Sequence, residues 1–128
     1  MNVYKFSVTV VNQFIAEQSD IATDSYVFAY TITIKNVGNV AAQLISRHWV
    51  IVDANGRSEE VQGLGVVGQQ PLLKPGEAFE YSSGTRFHTP TGTMHGSYFC
   101  VAEDGARFEV PIDEFMLIAD TPNARVLH

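Results

Sequence analysis

Apolar and polar positions alternate along most of the chain. In Phe28, Tyr30, Ile32 and Ile34 one face is apolar, and the intervening Ala29, Thr31, Thr33 and Lys35 are small or polar. A period of two marks a half-buried β-strand, because successive side chains point to opposite faces. Phe6, Val8 and Val10 repeat the pattern near the start. Phe108, Val110 and Ile112 repeat it near the end, with Arg107 and Glu109 on the other face. Pro111 has no N–H to give to a ladder, so this last strand is expected to lie at an edge or to stop there. Sustained helical spacing is absent; only Asp113 to Ala119 offers a helical turn.

The intervals between these runs carry turn chemistry. Asn36-Val37-Gly38-Asn39 separates two apolar runs. Asn55-Gly56 follows Trp49-Val50-Ile51-Val52 and precedes a short polar strand over 58–62. Asn-Gly is a strong hairpin signal, because both residues tolerate positive φ. Pro75-Gly76 precedes Phe79, and Asp104-Gly105 joins Gly96–Val101 to Arg107–Ile112. About seven short strands with turns between them predict an all-β sandwich, with a barrel as the other way to close the core. The polar stretch Asp120 to His128, with Pro122, is expected to be mobile.

Composition narrows the function classes. A chain of 128 residues favours one domain, here 1–128 with its ordered part over about 4–118. Hydrophobic residues make up 45% and charged ones 17%, which fits a packed domain and not a disordered one. The net charge of −6 repels phosphate backbones, so nucleic acid is not an expected partner. Cys100 is the single cysteine and sits among Tyr98, Phe99 and Val101. It has no internal disulfide partner, which fits a reducing compartment, and its setting reads as core packing and not as a nucleophile. The opening MNVYKFSV lacks the basic, apolar and small-residue order of a signal peptide. No apolar run approaches about 18 residues, so no membrane span is expected. A cytoplasmic location follows as the expectation.

One short motif invites a sharper reading. Gly63-Leu64-Gly65-Val66-Val67-Gly68 matches G-x-G-x-x-G. That fingerprint holds a pyrophosphate when the turn leads from a strand into a helix. Here Pro71, Pro75 and Gly76 follow and block such a helix. No Gly-Lys-Ser/Thr supports a P-loop either. The glycines are better read as serving backbone geometry in a long loop, Gly63 to Pro75, that crosses between sheets. An anion nest of successive backbone amides is the second reading.

Three longer segments share a family pattern. They are Ile45-Ser46-Arg47-His48-Trp49-Val50-Ile51-Val52-Asp53; the glycine motif followed by Pro71, Leu73, Pro75-Gly76-Glu77, Phe79, Tyr81 and Ser83-Gly84; and Gly92, Met94, Gly96 and Tyr98. Together, from about Tyr4 to Ile118, they resemble the ApaG family, the DUF525 domain also called CorD. Cys100 departs from the methionine or other apolar residue expected there. The resemblance implies a fibronectin type III-like, immunoglobulin-like β-sandwich of about seven antiparallel strands in a bacterial cytosolic protein. It also implies an association with cobalt resistance and magnesium efflux. Related domains in eukaryotic F-box proteins and in a DNA polymerase-interacting protein look like protein-recognition modules.

The remaining candidates are side chains. Arg47 and Trp49 share one strand face and His48 takes the other. Trp49, with Ile45 and Ile51, reads as core, so Arg47 points inward and needs a carboxylate, carbonyls or an anionic ligand. Glu77 and Glu80 are the candidate partners. His88 and His95 flank a loop and would need a third ligand to hold a metal. No H-x-H, H-x₃-H or cysteine pair supports one, so no metal or other cofactor is expected. Enzyme signatures are absent. The favoured reading is a binding module for an unidentified protein. Its candidate recognition or anion residues are Gly63, Gly65, Val66, Val67 and Gly68 with Arg47 and Arg86, beside a cleft between Gly63–Gly76 and Phe87–Met94. Exposed strand edges would also allow a homo-oligomer. Binding of a small molecule, pyrophosphate or a divalent metal at the glycine loop is the alternative.

Overall fold

A computed structural model describes residues 3–120. The chain runs β1 (Phe6–Phe14), two 3₁₀ turns (Ala16–Gln18 and Ile21–Thr23), β2 (Tyr26–Asn36), β3 (Ala42–Asp53), β4 (Ser58–Leu64), β5 (Leu72–Leu73), β6 (Ala78–Phe87), β7 (Thr91–Ala102) and β8 (Arg107–Ile118). One sheet has the order β1-β2-β6. The other has the order β4-β3-β7-β8, with β5 paired to β3 beyond the end of β4. All pairings are antiparallel. The strand beyond the expected seven is β5, whose two residues are too few to show a period. The tail expected to be mobile lies, from residue 121 onward, outside the described residues.

The alternation seen in the sequence sets the core. Val8 lies opposite Ile34, Val10 opposite Ile32 and Phe14 opposite Phe28. Phe28, Ile32 and Ile34 are fully buried, as are Leu44, Tyr98, Cys100 and Leu117 of the facing sheet. Trp49 bridges the layers, with its ring centroid 5.8 Å from Tyr30 and 6.0 Å from Phe115. Such edge-on aromatic pairs add about 1 kcal/mol beyond the area they bury.

Two bulges explain where a strict period of two fails. In β3 the register shifts between Leu44 and Ser46. The fully buried residue is therefore Leu44, while Ile45, expected in the core beside Trp49, is only half-buried at the bulge. In β8 the pairing passes from Met94↔Phe115 to Gly96↔Ile112, so β8 carries one extra residue. That insertion puts a three-residue step between the inward Ile112 and Phe115, after which Phe115, Leu117 and Ala119 resume the period of two, and the segment is strand to Ile118. The expected helical turn at 113–119 is thus corrected to a bulged strand. Pro111 sits within β8, which is an edge strand and tolerates the missing N–H.

The crossover is also shorter than expected. Both β4 and β5 belong to the second sheet, so between β4 and β6 the chain changes sheets over the short stretch from Leu73 to Ala78. Lys74-Pro75-Gly76-Glu77 makes that turn, with Glu77 N–H donating to Lys74 O (2.9 Å) and Gly76 at φ 89°. Proline second and a positive-φ glycine third are the requirements of a type II turn. The Glu77 carboxylate then accepts the Lys74 N–H at 2.8 Å. Asn36, 1% exposed, holds the crossover in place. Its amide donates to Val40 O (3.0 Å) and Leu73 O (2.9 Å), and its carbonyl accepts the Gly38 N–H (2.9 Å).

The two long sides of the sandwich differ. On one, β1 and β8 approach, with Asn12 Nδ2 donating to Met116 O at 3.3 Å and Phe6 edge-on to Phe108. On the other, the edge strands β4 and β6 flank an open cleft.

Candidate functional site

The glycine motif begins inside β4, not in a loop. Gly63 lies directly opposite Arg47 in the β3–β4 ladder. A Cβ at Gly63 would stand 2.9 Å from both Arg47 Nη1 and Nη2, so the bare glycine is what lets the guanidinium lie across β4. Arg47 Nη1 then donates to Leu64 O (3.0 Å) and Gly65 O (2.9 Å). The inward arginine is satisfied by carbonyls. The expected carboxylate partners are engaged elsewhere, Glu77 on Lys74 N and Glu80 on Thr33 Oγ1 (3.2 Å).

Gly65 serves a different end. Its φ is 65°, and a Cβ there would collide with the Gln69 carbonyl oxygen. Its N–H donates to Ile45 O (2.8 Å), while Val66 and Gln69 exchange two backbone bonds of 2.8 and 2.9 Å. Val67 (φ 43°) and Gly68 (φ 80°) form the tip between them. A β-branched residue in the left-handed region is strained by about 1–2 kcal/mol. Val66 is fully buried and Val67 exposed. The amides of Gly65, Val66 and Gln69 are thus turned toward carbonyls of the chain itself.

The open cleft, about 440 Å³, gathers several of the candidates. Arg47, Val66, Val67 and Arg86 line it, with Tyr30, Trp49, Tyr81 and Met94 as apolar surface and Ser83, Thr85 and Glu59 as polar surface. One expected wall is displaced: residues 81–86 of β6, and not Phe87 onward, face the glycine turn, and of 87–94 only Met94 contributes. The cause is visible in β6. Opposite the core-facing Ile34, Ile32, Tyr30, Phe28 and Tyr26 stand Phe79, Tyr81, Ser83, Thr85 and Phe87. Two small hydroxyl residues replace aromatics in the middle of an inward row, and Ser83 is exposed where the period places a core residue. Sequence reasoning passed over Ser83, Thr85, Tyr30 and Tyr81; hydroxyls on an inward-facing row were the signal.

Beneath the cleft, the Tyr81 and Tyr98 hydroxyls meet at 2.5 Å. Burial pushes Tyr81 up to about 12, offset in part by the Tyr98 bond and by Arg47. Burial raises Tyr98 further still. Both phenols stay neutral and act as hydrogen-bonding groups. Burial likewise pushes the Cys100 thiol up to about 12, which keeps it a thiol and a poor nucleophile.

The histidines of the described residues are dispersed. His48 lies 3.5 Å from Glu60 and opposite Gln62 and Ser97. His88 follows β6 and contacts Asp24 O through Nδ1 at 3.1 Å, whereas His95 is in β7 opposite Val50. Among the described residues no three His, Cys, Asp or Glu side chains come together as a metal-binding group. No helix of the described residues is long and apolar enough to cross a membrane.

Two antiparallel sheets packed face to face, with edge strands parted around a lined cleft, define a fibronectin type III-like β-sandwich. The family model for the ApaG domain, DUF525, matches residues 16–102. The chain belongs to the ApaG family. Protein ApaG of Acidovorax sp. (strain JS42) is 59% identical over 98% of this chain and 96% of its own length. Protein ApaG of Thiobacillus denitrificans is 61% identical over 98% and 95%. A crystal structure of an ApaA protein from Bordetella pertussis is 55% identical, covers 93% of this chain and 97% of that one, and superposes with a TM-score of 0.91.

Proposed function

We propose that this chain is a non-enzymatic recognition module of the cytoplasm that binds a protein partner at the cleft between β4 and β6. The carrying observation is the opening itself. Ser83 and Thr85 interrupt an aromatic inward row and leave a lined hollow of about 440 Å³ where packing would otherwise close the core. Among the described residues two unpaired strand edges border it, and such edges are the usual acceptors of a partner's strand. Against catalysis stand the buried, neutral Cys100 and tyrosines and the dispersed histidines. The glycine turn shapes one rim of the cleft. A link to cobalt resistance and magnesium efflux would then act through the partner.

The test is to fill the hollow without touching the fold. Ser83→Tyr restores an aromatic at an exposed position, whereas a change at Gly65 would damage the turn. Affinity capture from the source cells, read by quantitative mass spectrometry, should show the same proteins lost with Ser83→Tyr and retained with Thr9→Lys on the far edge strand. Equal recovery with both variants would refute the proposal. A single anionic small molecule that raises the melting temperature of wild type but not of Ser83→Tyr would favour the small-ligand alternative.

A further inference from the structure

We infer that the occupant of this cleft is an extended, carboxylate-rich segment of the partner, added as a strand to the free edge of β6. The inference rests on the recognition reading and specifies its partner.

The first observation is the phase of the ladder. Asn36 N–H donates to Glu77 O at 2.9 Å, and Val37 N–H donates to Lys5 O on the opposite side of β2. In an antiparallel ladder bonded and non-bonded pairs alternate. Phe79, Tyr81, Ser83, Thr85 and Phe87 therefore bond to β2, and the N–H and C=O groups of Glu80, Ser82, Gly84 and Arg86 point away from it. Because β6 ends the sheet order, these groups form an open template among the described residues. A strand laid along them sends every second side chain over Ser83 and Thr85 into the cleft.

The second observation is charge. Arg47 and Arg86 line the cleft, and Arg86 continues with Arg57 and His88 into an adjoining hollow of about 190 Å³. Three of the chain's five arginines thus border one groove, against the two carboxylates of Glu59 and Asp53, on a protein of net charge −6. Among the described residues no carboxylate lies within 4.0 Å of Arg57 or Arg86. Asp53 in the same hollow spends Oδ1 on the Asn55 and Arg57 amides. A basic groove on an acidic body steers in acidic segments and rejects basic ones. The same logic favours one edge: β4 carries two carboxylates, Glu59 and Glu60, whereas β6 carries only Glu80, which accepts the Thr33 hydroxyl, so an acidic strand is repelled more along β4 than along β6.

The experiment uses the whole chain and a short fluorescein-labelled peptide alternating aspartate with valine, read by anisotropy and by Trp49 emission. Controls are the same peptide with lysine for aspartate, the aspartate peptide with alternate amides N-methylated, and succinate or inorganic phosphate alone. The aspartate peptide should bind at least about tenfold tighter than the lysine peptide. N-methylation should abolish binding, and Arg86→Glu or Arg57→Glu should each weaken it several-fold while leaving the circular dichroism unchanged. Amide exchange should slow at Ser82, Gly84 and Arg86. Equal binding of the two charges, indifference to N-methylation, or protection elsewhere overturns the inference. So does displacement by succinate or phosphate at the peptide's own affinity, which would mark a small-anion site. If no peptide binds while Ser83→Tyr still loses its cellular partners, the recognition reading stands and the acidic strand falls. If Ser83→Tyr changes no partner, the recognition reading itself has failed.

Discussion

Replacing Gly63 with alanine places a methyl group 2.9 Å from Arg47 Nη1 and Nη2 and 3.0 Å from Cζ. The backbone of β4 has no reason to object, since Gly63 has no positive φ and lies in regular strand. Alanine in a strand should if anything gain a few tenths to 1 kcal/mol over glycine. The cost falls on the guanidinium, which must swing away and release Leu64 O and Gly65 O. Hydrogen bonds from a charged donor contribute about 1.5–3 kcal/mol, and the Arg47 pair shares one nitrogen. We therefore expect a net loss of about 2 kcal/mol for Gly63→Ala. In an Arg47→Ala background the same substitution should be neutral or slightly stabilising, because nothing is left to displace. The assay is a double-mutant cycle by urea unfolding, followed through Trp49 emission, with midpoints compared at constant slope. The coupling should approach about 2 kcal/mol. Equal costs in both backgrounds, within the usual additivity error of about 0.5 kcal/mol, would refute the reading of Gly63 as the seat of Arg47.

Gly65→Ala should behave differently: positive φ and the clash with Gln69 O are backbone problems, so its loss of about 3 kcal/mol should persist in the Arg47→Ala background. Asn36→Ala orphans Leu73 O, Val40 O and the Gly38 N–H around the crossover, and chemical denaturation should show a loss of about 3 kcal/mol. Tyr81 titrates at about 12 in the folded chain against 10.0 for a free phenol, so the native state holds its proton more tightly. Its contribution to stability is complete below pH 10, falls as pH rises from 10 toward 12, and is lost beyond. Alkaline melts should show that decline, and Tyr81→Phe should reduce it.

Much of this architecture was legible because burial on one face forces a period of two. Phe28 to Ile34 shows this, and so does the Pro75-Gly76 turn, whose residue types match its dihedrals. The misreadings sit where one extra residue breaks the period. The bulge at Leu44/Ser46 moved the buried position off Ile45, and the bulge in β8 moved the inward row from Ile112 to Phe115, a three-residue step that mimics the start of a helical period. At the site, the inward Arg47 and its need for partners followed from the pairing with Trp49. Its actual acceptors did not, because only the register of β3 on β4 places Gly63 beneath the guanidinium. The motif Gly63–Gly68 shows why a short pattern misleads. One glycine makes room for an arginine, the next meets a neighbouring carbonyl and the third closes a turn, and none of these tasks involves a phosphate. Ser83 and Thr85 stood in the sequence as polar residues on an apolar row, but that row is identified only once β6 is known to face the core.

The claim that recognition takes place between β4 and β6 is tested most directly by mapping contacts in the source cells. A photo-crosslinking phenylalanine analogue can be placed singly at Ser83 in the cleft, at Val11 on β1, and at Met116 on β8, all exposed positions. Irradiation should join the chain to a discrete partner from Ser83, and Val11 and Met116 should give background only. Crosslinks of equal yield to the same partner from Val11 or Met116, with none from Ser83, would place the binding surface elsewhere and contradict the account.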